Sequence, residues 1–294
     1  MGTTSARITA SSTDTSTAFV SCGPDFCRVR CSVKNPAILD IDSIWFTKRI
    51  HPGYMHSPIT AICQLPHAED FNAVGRHLGG LLFTASGDQL LFSQLDSEAR
   101  VSTQDIAAPH QNDCRAVPRK LLTGAKPTNV TYLEPTRKLA IATMEAKEEQ
   151  APPQAYRVLH SAIKLLETAE DKALDEPDIK EENENNPMSK AVAATYELNH
   201  GERVYSIAEW PYTDNRGKKY DLLIVGTGVP DIMGKEMGRR LIINPGKTGS
   251  KLQLQKGSIF GDPVYCTAVY GNLTSVSAIG KTLTFDVFEP QAGL

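Results

Sequence analysis

No stretch of this sequence is apolar for long. A bilayer-spanning helix needs about 18 or more consecutive apolar residues, so a spanning helix is excluded. Charge of one sign is not in excess either. Lys and Arg number 31, Asp and Glu 34, the formal net charge is −3 and the pI is near 6.2. That balance rules out the strongly basic field by which many nucleic-acid binders announce themselves. The N-terminus, Met1 to Ser16, is rich in Ser and Thr and has no apolar centre, so it is not a secretory signal. Ala6 occupies the position where a myristoylation signal requires Ser or Thr. Cysteine is sparse, at 22, 27, 31, 63, 114 and 266. Without a signal peptide these are expected to be reduced thiols, and the sequons Asn129-Val130-Thr131 and Asn272-Leu273-Thr274 carry no glycosylation meaning.

Amphipathic helical periodicity is also missing, above all from the last third of the chain. What is there instead is repetition. Gly201-Glu202-Arg203-Val204-Tyr205-Ser206-Ile207-Ala208-Glu209-Trp210 returns sixty residues later as Gly261-Asp262-Pro263-Val264-Tyr265-Cys266-Thr267-Ala268-Val269-Tyr270. Both copies read Gly, acid, any, Val, Tyr, small, any, Ala, any, aromatic. A second pair matches Ala85-Ser86-Gly87-Asp88-Gln89-Leu90-Leu91-Phe92 with Ala278-Ile279-Gly280-Lys281-Thr282-Leu283-Thr284-Phe285. Each is an apolar run, a Gly-containing turn and an alternating run, which is a hairpin signal. A weaker third copy lies at Ser21-Cys22-Gly23-Pro24-Asp25-Phe26. Repeats of this length in strand-like sequence mark stacked or radial architectures.

Short strands are expected throughout, separated by Gly, Pro, Asn and Asp turns. Tyr156 to Leu166 suits either a strand or a short helix. If the first strand of each unit begins near Pro58, Pro127, Val204 and Val264, the chain holds about three to four four-stranded units. The expected fold is all-β: a partial WD-like β-propeller whose ring is not closed. The expected organisation is a disordered arm over 1–17, propeller blades over 18–144, a charged and partly disordered insertion over 145–190, and further blades over 191–294. The insertion rests on the run of acids from Glu167 to Glu184, which has almost no large apolar residue.

Motifs that would carry chemistry are incomplete. Gly226-Thr227-Gly228 follows the apolar strand Leu222 to Val225, but Asp231 stands where a dinucleotide site needs a third glycine, so a turn ending a strand is the plainer reading. Gly246-Lys247-Thr248 lacks the earlier glycine of a phosphate loop, because residue 241 is Leu. Cys22, Cys27 and Cys31, with His51, His56, Cys63 and His67 downstream, do not have the tight paired spacing of zinc sites. No nucleophile elbow or His-Glu-x-x-His is present. No catalytic, cofactor-binding or metal-ligating residue is therefore assigned. Four cations on expected turns, Lys218, Lys219, Arg239 and Arg240, are the candidate interaction residues.

From Ser189 to Glu289 the sequence resembles one family. The residues that carry the resemblance are Tyr196-Glu197-Leu198, Glu202, Val204-Tyr205-Ser206, the strand Leu222-Leu223-Ile224-Val225-Gly226-Thr227, Gly238-Arg239, and Val264-Tyr265-Cys266. In this order they look like the junction region of a multi-propeller superfamily. It includes the A subunit of the cleavage and polyadenylation specificity factor, the large subunit of damaged-DNA-binding protein, a spliceosomal propeller subunit and the fungal methyl-methanesulfonate-sensitivity proteins. Upstream, Val117-Pro118-Arg119-Lys120, Pro127, Val130-Thr131-Tyr132 and Lys138-Leu139 look like preceding blades. Family members are several times longer, so the chain is expected to be a fragment, a truncated paralogue or an incomplete gene model. The resemblance implies a non-enzymatic nuclear scaffold in DNA-repair ubiquitin ligases or pre-mRNA processing complexes. Its partners would be other proteins of a nuclear complex, with nucleic acid as a second candidate and no small-molecule substrate, cofactor or membrane. The alternatives are a propeller hydrolase with loop carboxylates, for which Glu202 and Asp262 are the matched candidates, and a truncated paralogue without independent function.

Overall fold

The computed structural model describes residues 7–10, 17–22, 25–31, 38–46, 58–64, 81–94, 112–116, 119–121, 123–134, 136, 138–151, 154–167, 192–214, 217–230, 236–246, 250–272 and 274–287. Among the described residues every regular element is a β-strand, so the chain is all-β. It divides into two compact units, Met1–Thr123 and Gly124–Leu294.

The first unit contains β1 (Arg7–Ala10), β2 (Thr17–Cys22), β3 (Asp25–Cys31), β4 (Leu39–Phe46), β5 (Ile59–Gln64), β6 (Leu81–Ser86), β7 (Gln89–Gln94), β8 (Asn112–Ala116) and β9 (Arg119–Leu121). One sheet runs β1-β2-β3-β4-β8 and the other β5-β6-β7-β9. All pairings are antiparallel except β4 with β8, a parallel pair that departs from the antiparallel expectation. The chain builds β5, β6 and β7 between those two strands, and that excursion is the crossover a parallel pair requires. Phe19, Phe26 and Ile44 of one sheet bury against Ile59, Ile62 and Leu82 of the other.

The second unit is three consecutive antiparallel meanders. The first is β10 (Lys126–Leu133), β11 (Lys138–Ala151), β12 (Gln154–Glu167) and β13 (Val192–Glu197). The second is β14 (Arg203–Thr213), β15 (Lys219–Pro230), β16 (Glu236–Asn244) and β17 (Gln253–Phe260). The third has three strands, β18 (Val264–Tyr270), β19 (Thr274–Ile279) and β20 (Thr282–Val287). Their first strands lie side by side, β14 touching both β10 and β18. One core joins the first two meanders: Leu133, Ala140, Ala142, Ile163 and Leu165 meet Val204, Leu223, Val225, Leu241 and Ile243. The opposite face of the second meander, with Trp210, Leu222, Ile224 and Ile242, packs against the third meander through Val269.

The repeats fall where this plan needs them. The four first strands begin at Ile59, Lys126, Arg203 and Val264, beside the starts expected from sequence. Each carries one extra residue near its start: Thr60, Thr128, Tyr205 and Tyr265 are skipped in the register with the second strand. Such a bulge bends and twists the strand locally. The Ala85 and Ala278 segments are both two-residue hairpins, closing at Ser86↔Gln89 and Ile279↔Thr282. Gly87 and Gly280 take φ of 61° and 54° there, a region costly for other residues. The third copy also spans a hairpin, with Cys22 opposite Asp25.

The structure settles one open reading, adds strands within two segments and corrects one expectation. Tyr156 to Leu166 is strand, within β12. Strand also extends through 145–151 and 154–167, which pair residue by residue as one long antiparallel hairpin. Glu148 sits directly across from Arg157, with oxygen and nitrogen 3.2 Å apart. The remaining acidic residues, 168–191, lie outside the described residues. Of the arm read over 1–17, Arg7–Ala10 pairs as β1.

The corrected expectation is Gly226-Thr227-Gly228, which lies not in a turn but within β15. Gly226 is there because backbone from the next sheet lies on it, and Gly228 because the Tyr205 ring and the Pro263 side chain do. A Cβ on Gly226 would stand 2.6 Å from the Val264 carbonyl oxygen, and one on Gly238 would stand 2.6 Å from that of Asp262 and 2.7 Å from that of Thr227. Gly238→Ala should therefore destabilise the chain by about 1–3 kcal/mol through overpacking against backbone. Gly257→Ala, whose Cβ meets nothing closer than 3.6 Å, should cost nothing measurable. Urea unfolding of the two variants separates these outcomes, and equal midpoints would contradict the close-approach account.

Candidate functional site

The turn from β13 into β14 brings Glu202 into the protein with no exposed side-chain surface. A buried carboxylate needs several donors, and the fold supplies them from three segments. Arg239 of β16 makes a two-pronged contact, Nε to Oε1 at 2.8 Å and Nη2 to Oε2. The Thr227 hydroxyl of β15 donates to Oε1. The Asn199 backbone N–H donates to Oε2 at 3.0 Å. With its amide oxygen turned to the guanidinium, Asn199 accepts from Nη1 and Nη2 at 3.2 Å. The Arg239 N–H also donates to the Thr227 hydroxyl oxygen at 3.2 Å. Both carboxylate oxygens of Glu202 are thus engaged in holding strands together.

Arg239 and Arg240 were expected on turns. Both lie in β16, and both are drawn inward. Arg240 is buried, ion-paired with Asp286, 3.5 Å from the Ser277 hydroxyl and over the Phe260 ring at 5.5 Å. Neither offers a free cation to a ligand. Lys218 and Lys219 do lie exposed, at the hairpin between β14 and β15. The Lys218 ammonium sits 4.4 Å from the centre of the Tyr220 ring. Asp262, the other matched acid, lies beneath Gly280, where an added Cβ would fall 2.8 Å from the Asp262 carboxyl carbon.

Sequence reasoning missed the bulge tyrosines as site residues, although the repeated Val-Tyr held the signal. Tyr205 and Tyr265 protrude at the same point of adjacent first strands, with ring centres 5.2 Å apart, and Tyr265 is 45% exposed. Below them the residues after the bulges bridge neighbouring sheets. Asn129 donates to the Tyr205 carbonyl at 3.2 Å, and the Ser206 and Thr267 hydroxyls are 3.1 Å apart. Asn272, which the sequence marks only as a sequon, clamps the other end. Its amide bonds both ways to the Thr213 backbone, at 2.6 and 2.7 Å, and its carbonyl accepts from the Trp210 indole at 2.9 Å.

Of the cysteine cluster, Cys22 and Cys31 are exposed and Cys63 is buried. Burial pushes the Cys27 thiol up, against a hydrogen bond from Ser43 that pulls it down. His51, His56 and His67 lie outside the described residues. Among the described residues no three His, Cys, Asp or Glu are placed to hold a metal ion.

No protein-family model matches this chain, and no curated protein sequence matches it.

Two acids are perturbed, Glu209 and Asp221. Burial pushes the Glu209 carboxyl up to about 7, opposed by the Glu134 backbone N–H and reinforced by the Asp221 and Glu134 charges. The Glu134 N–H donates to Oε1 at 3.0 Å. No sequence pattern marked this residue.

Two measurements test these assignments. Glu202→Ala strands Arg239 beside no anion, and should cost about 3–5 kcal/mol in urea unfolding, as expected for breaking a buried pair. Asp286→Ala also leaves the buried Arg240 without its anion, but water reaches the vacated, 41% exposed position, so it should cost less. Second, Glu209 binds its proton more tightly folded than unfolded, so stability is greatest below its unfolded pKa and falls as pH rises toward 7. Asp221, also pushed up by burial, adds to the same fall. Glu209→Gln should flatten the decline between about pH 4.5 and 7, and a wild-type-like slope in that variant would overturn the assignment.

Proposed function

We propose that this chain is a non-enzymatic scaffold of the propeller kind, whose partners are other proteins of a nuclear complex. The observation that carries the reading is the triple meander of the second unit. Its first strands lie side by side and carry a bulge at the same place, as blades around an axis would. Repeated sheets of this type serve mainly as platforms, with function placed on strand ends and loops. Here those ends present Tyr205 and Tyr265 together, and Lys218 beside Tyr220. Aromatic and cationic anchors of this type dominate interface energies.

The family likeness of residues 189–289 gives the reading its context, DNA-repair ubiquitin ligases or pre-mRNA processing. It rests on residues that the fold uses: Glu202, Thr227, Gly238 and Arg239 form one buried assembly. The competing hydrolase reading needs carboxylates free to work at matched loop positions, and the engagement of Glu202 weighs against it. Nucleic acid is a second candidate ligand, for which Lys218 and Lys219 are the exposed cations.

The test is affinity purification of the tagged chain from nuclear extract, scored by mass spectrometry. Enrichment of repair-ligase or RNA-processing subunits is expected, and Tyr265→Ala should weaken retention by about tenfold, roughly 1.4 kcal/mol. Duplex and single-stranded oligonucleotides, titrated at two salt concentrations, check the lysines. A monomer that retains no nuclear protein but hydrolyses ester or phosphate substrates would sink the scaffold reading.

A further inference from the structure

The third meander exposes a face that the second keeps buried. The sixty-residue repeat lets the two be compared position by position. In the second meander one face is formed by Ser206, Ala208 and Trp210 of β14, Leu222, Ile224 and Gly226 of β15, and Arg240 and Ile242 of β16. The third meander covers it, and Trp210, Leu222 and Ile224 have no exposed surface. The matching rows of the third meander are Cys266-Ala278-Leu283, Ala268-Val276-Phe285 and Tyr270-Thr274-Val287. These nine residues share one face, and none is charged. Tyr270 is 79% exposed, Phe285 72%, Leu283 66% and Val287 61%. A contiguous open face of this kind is uncommon on a monomer and marks an interface.

The covered face shows what fits such a surface. Its cover presents Thr267 and Val269 of β18 and Ser275, Ser277 and Ile279 of β19: small, hydroxyl-bearing or β-branched side chains on an antiparallel sheet. Large side chains on one sheet meet small ones on the next. A second copy of the open face would instead set Tyr270, Leu283 and Phe285 against their like. Leu283 holds the position of Arg240, so the occupant needs no counterpart of the anion Asp286. Tyr270 holds the position of Trp210, whose indole donates to a carbonyl of the covering sheet, so the occupant must offer an acceptor there.

We propose that the outer face of β18, β19 and β20 docks an antiparallel β-sheet of a partner polypeptide, through strands that alternate Ser, Thr, Val or Ile toward this chain. This rests on the scaffold reading and names the partner's chemistry.

The test replaces Phe285 with photoreactive p-benzoylphenylalanine in the full chain, irradiates it in nuclear extract and sequences the cross-linked peptides. The expected adduct lies in a partner strand with that alternation. Adducts to this chain itself, to charged or helical segments, or no adduct at all overturn the proposal. The scaffold reading stands or falls separately, on whether unmodified chain retains nuclear proteins in the same extract. A second measurement uses a defined probe. A copy of residues 261–287, appended through a Gly/Ser linker, offers the required face. It should slow N-ethylmaleimide modification of the native, exposed Cys266 at least tenfold, and Phe285→Lys should restore the rate. An unchanged rate in an extended chain whose circular dichroism shows the added strand content also overturns it.

Discussion

The second unit depends on burying the carboxylate of Glu202. An ion taken out of water is costly, and its attraction to a partner repays that cost only when geometry is good and the remaining lone pairs are filled. Both conditions are met here by residues far apart in sequence. Asn199 arrives from the turn, Thr227 from β15 and Arg239 from β16. The network can form only if these strands are in one register, since a slip of one residue would point Thr227 and Arg239 to the other face. The ion pair therefore specifies the sheet more than it stabilises it.

That register then permits the stacking. With Thr227 turned toward Glu202, its neighbours Gly226 and Gly228 face the next sheet, and Gly238 lies across the strand pair. The backbone of Asp262, Pro263 and Val264 settles on Gly226 and Gly238, and the Tyr205 ring and the Pro263 side chain on Gly228, at distances no added Cβ would allow. The second copy of the repeat is thus the surface that the first copy's sheet was cut to receive. The bulges serve the same end. By re-aiming one residue per first strand they bring Asn129 to Tyr205, and Ser206 to Thr267, so each sheet is tied to its neighbour by a polar contact near the strand start. Asn272 makes the tie at the other end.

Strand content, the four first strands and both hairpins were legible in the sequence because turns and alternation are local signals. Repetition also marked where the second and third meanders begin. The Gly226-Thr227-Gly228 segment was misread as a turn because glycine has two uses, positive φ and close approach, and sequence does not distinguish them. Arg239 and Arg240 were placed on a turn for a related reason. Adjacent arginines look like solvated charge unless the acids that bury them, thirty-seven residues before one and forty-six after the other, are known to be near. Glu209 carried no signal at all, since its perturbation comes from burial and from Glu134 and Asp221 across the sheet.

Alignment of the repeat also shows where the stack is weakest. Leu223 and Val225, both fully buried between the first two meanders, are replaced in the third by Ser275 and Ser277. Each such exchange removes about 1.5–3 kcal/mol of apolar burial. The third meander also has one strand fewer among the described residues. What holds it to the second is therefore more polar: the Arg240–Asp286 pair, the Ser206–Thr267 contact and the Asn272 clamp. Polar contacts at a partly exposed seam open more readily than an apolar core. The sheet carrying the exposed apolar face is thus the one least anchored from behind. Covering that face would remove apolar area from water and restrain the sheet at once, so the same contact would serve both binding and the order of the fold.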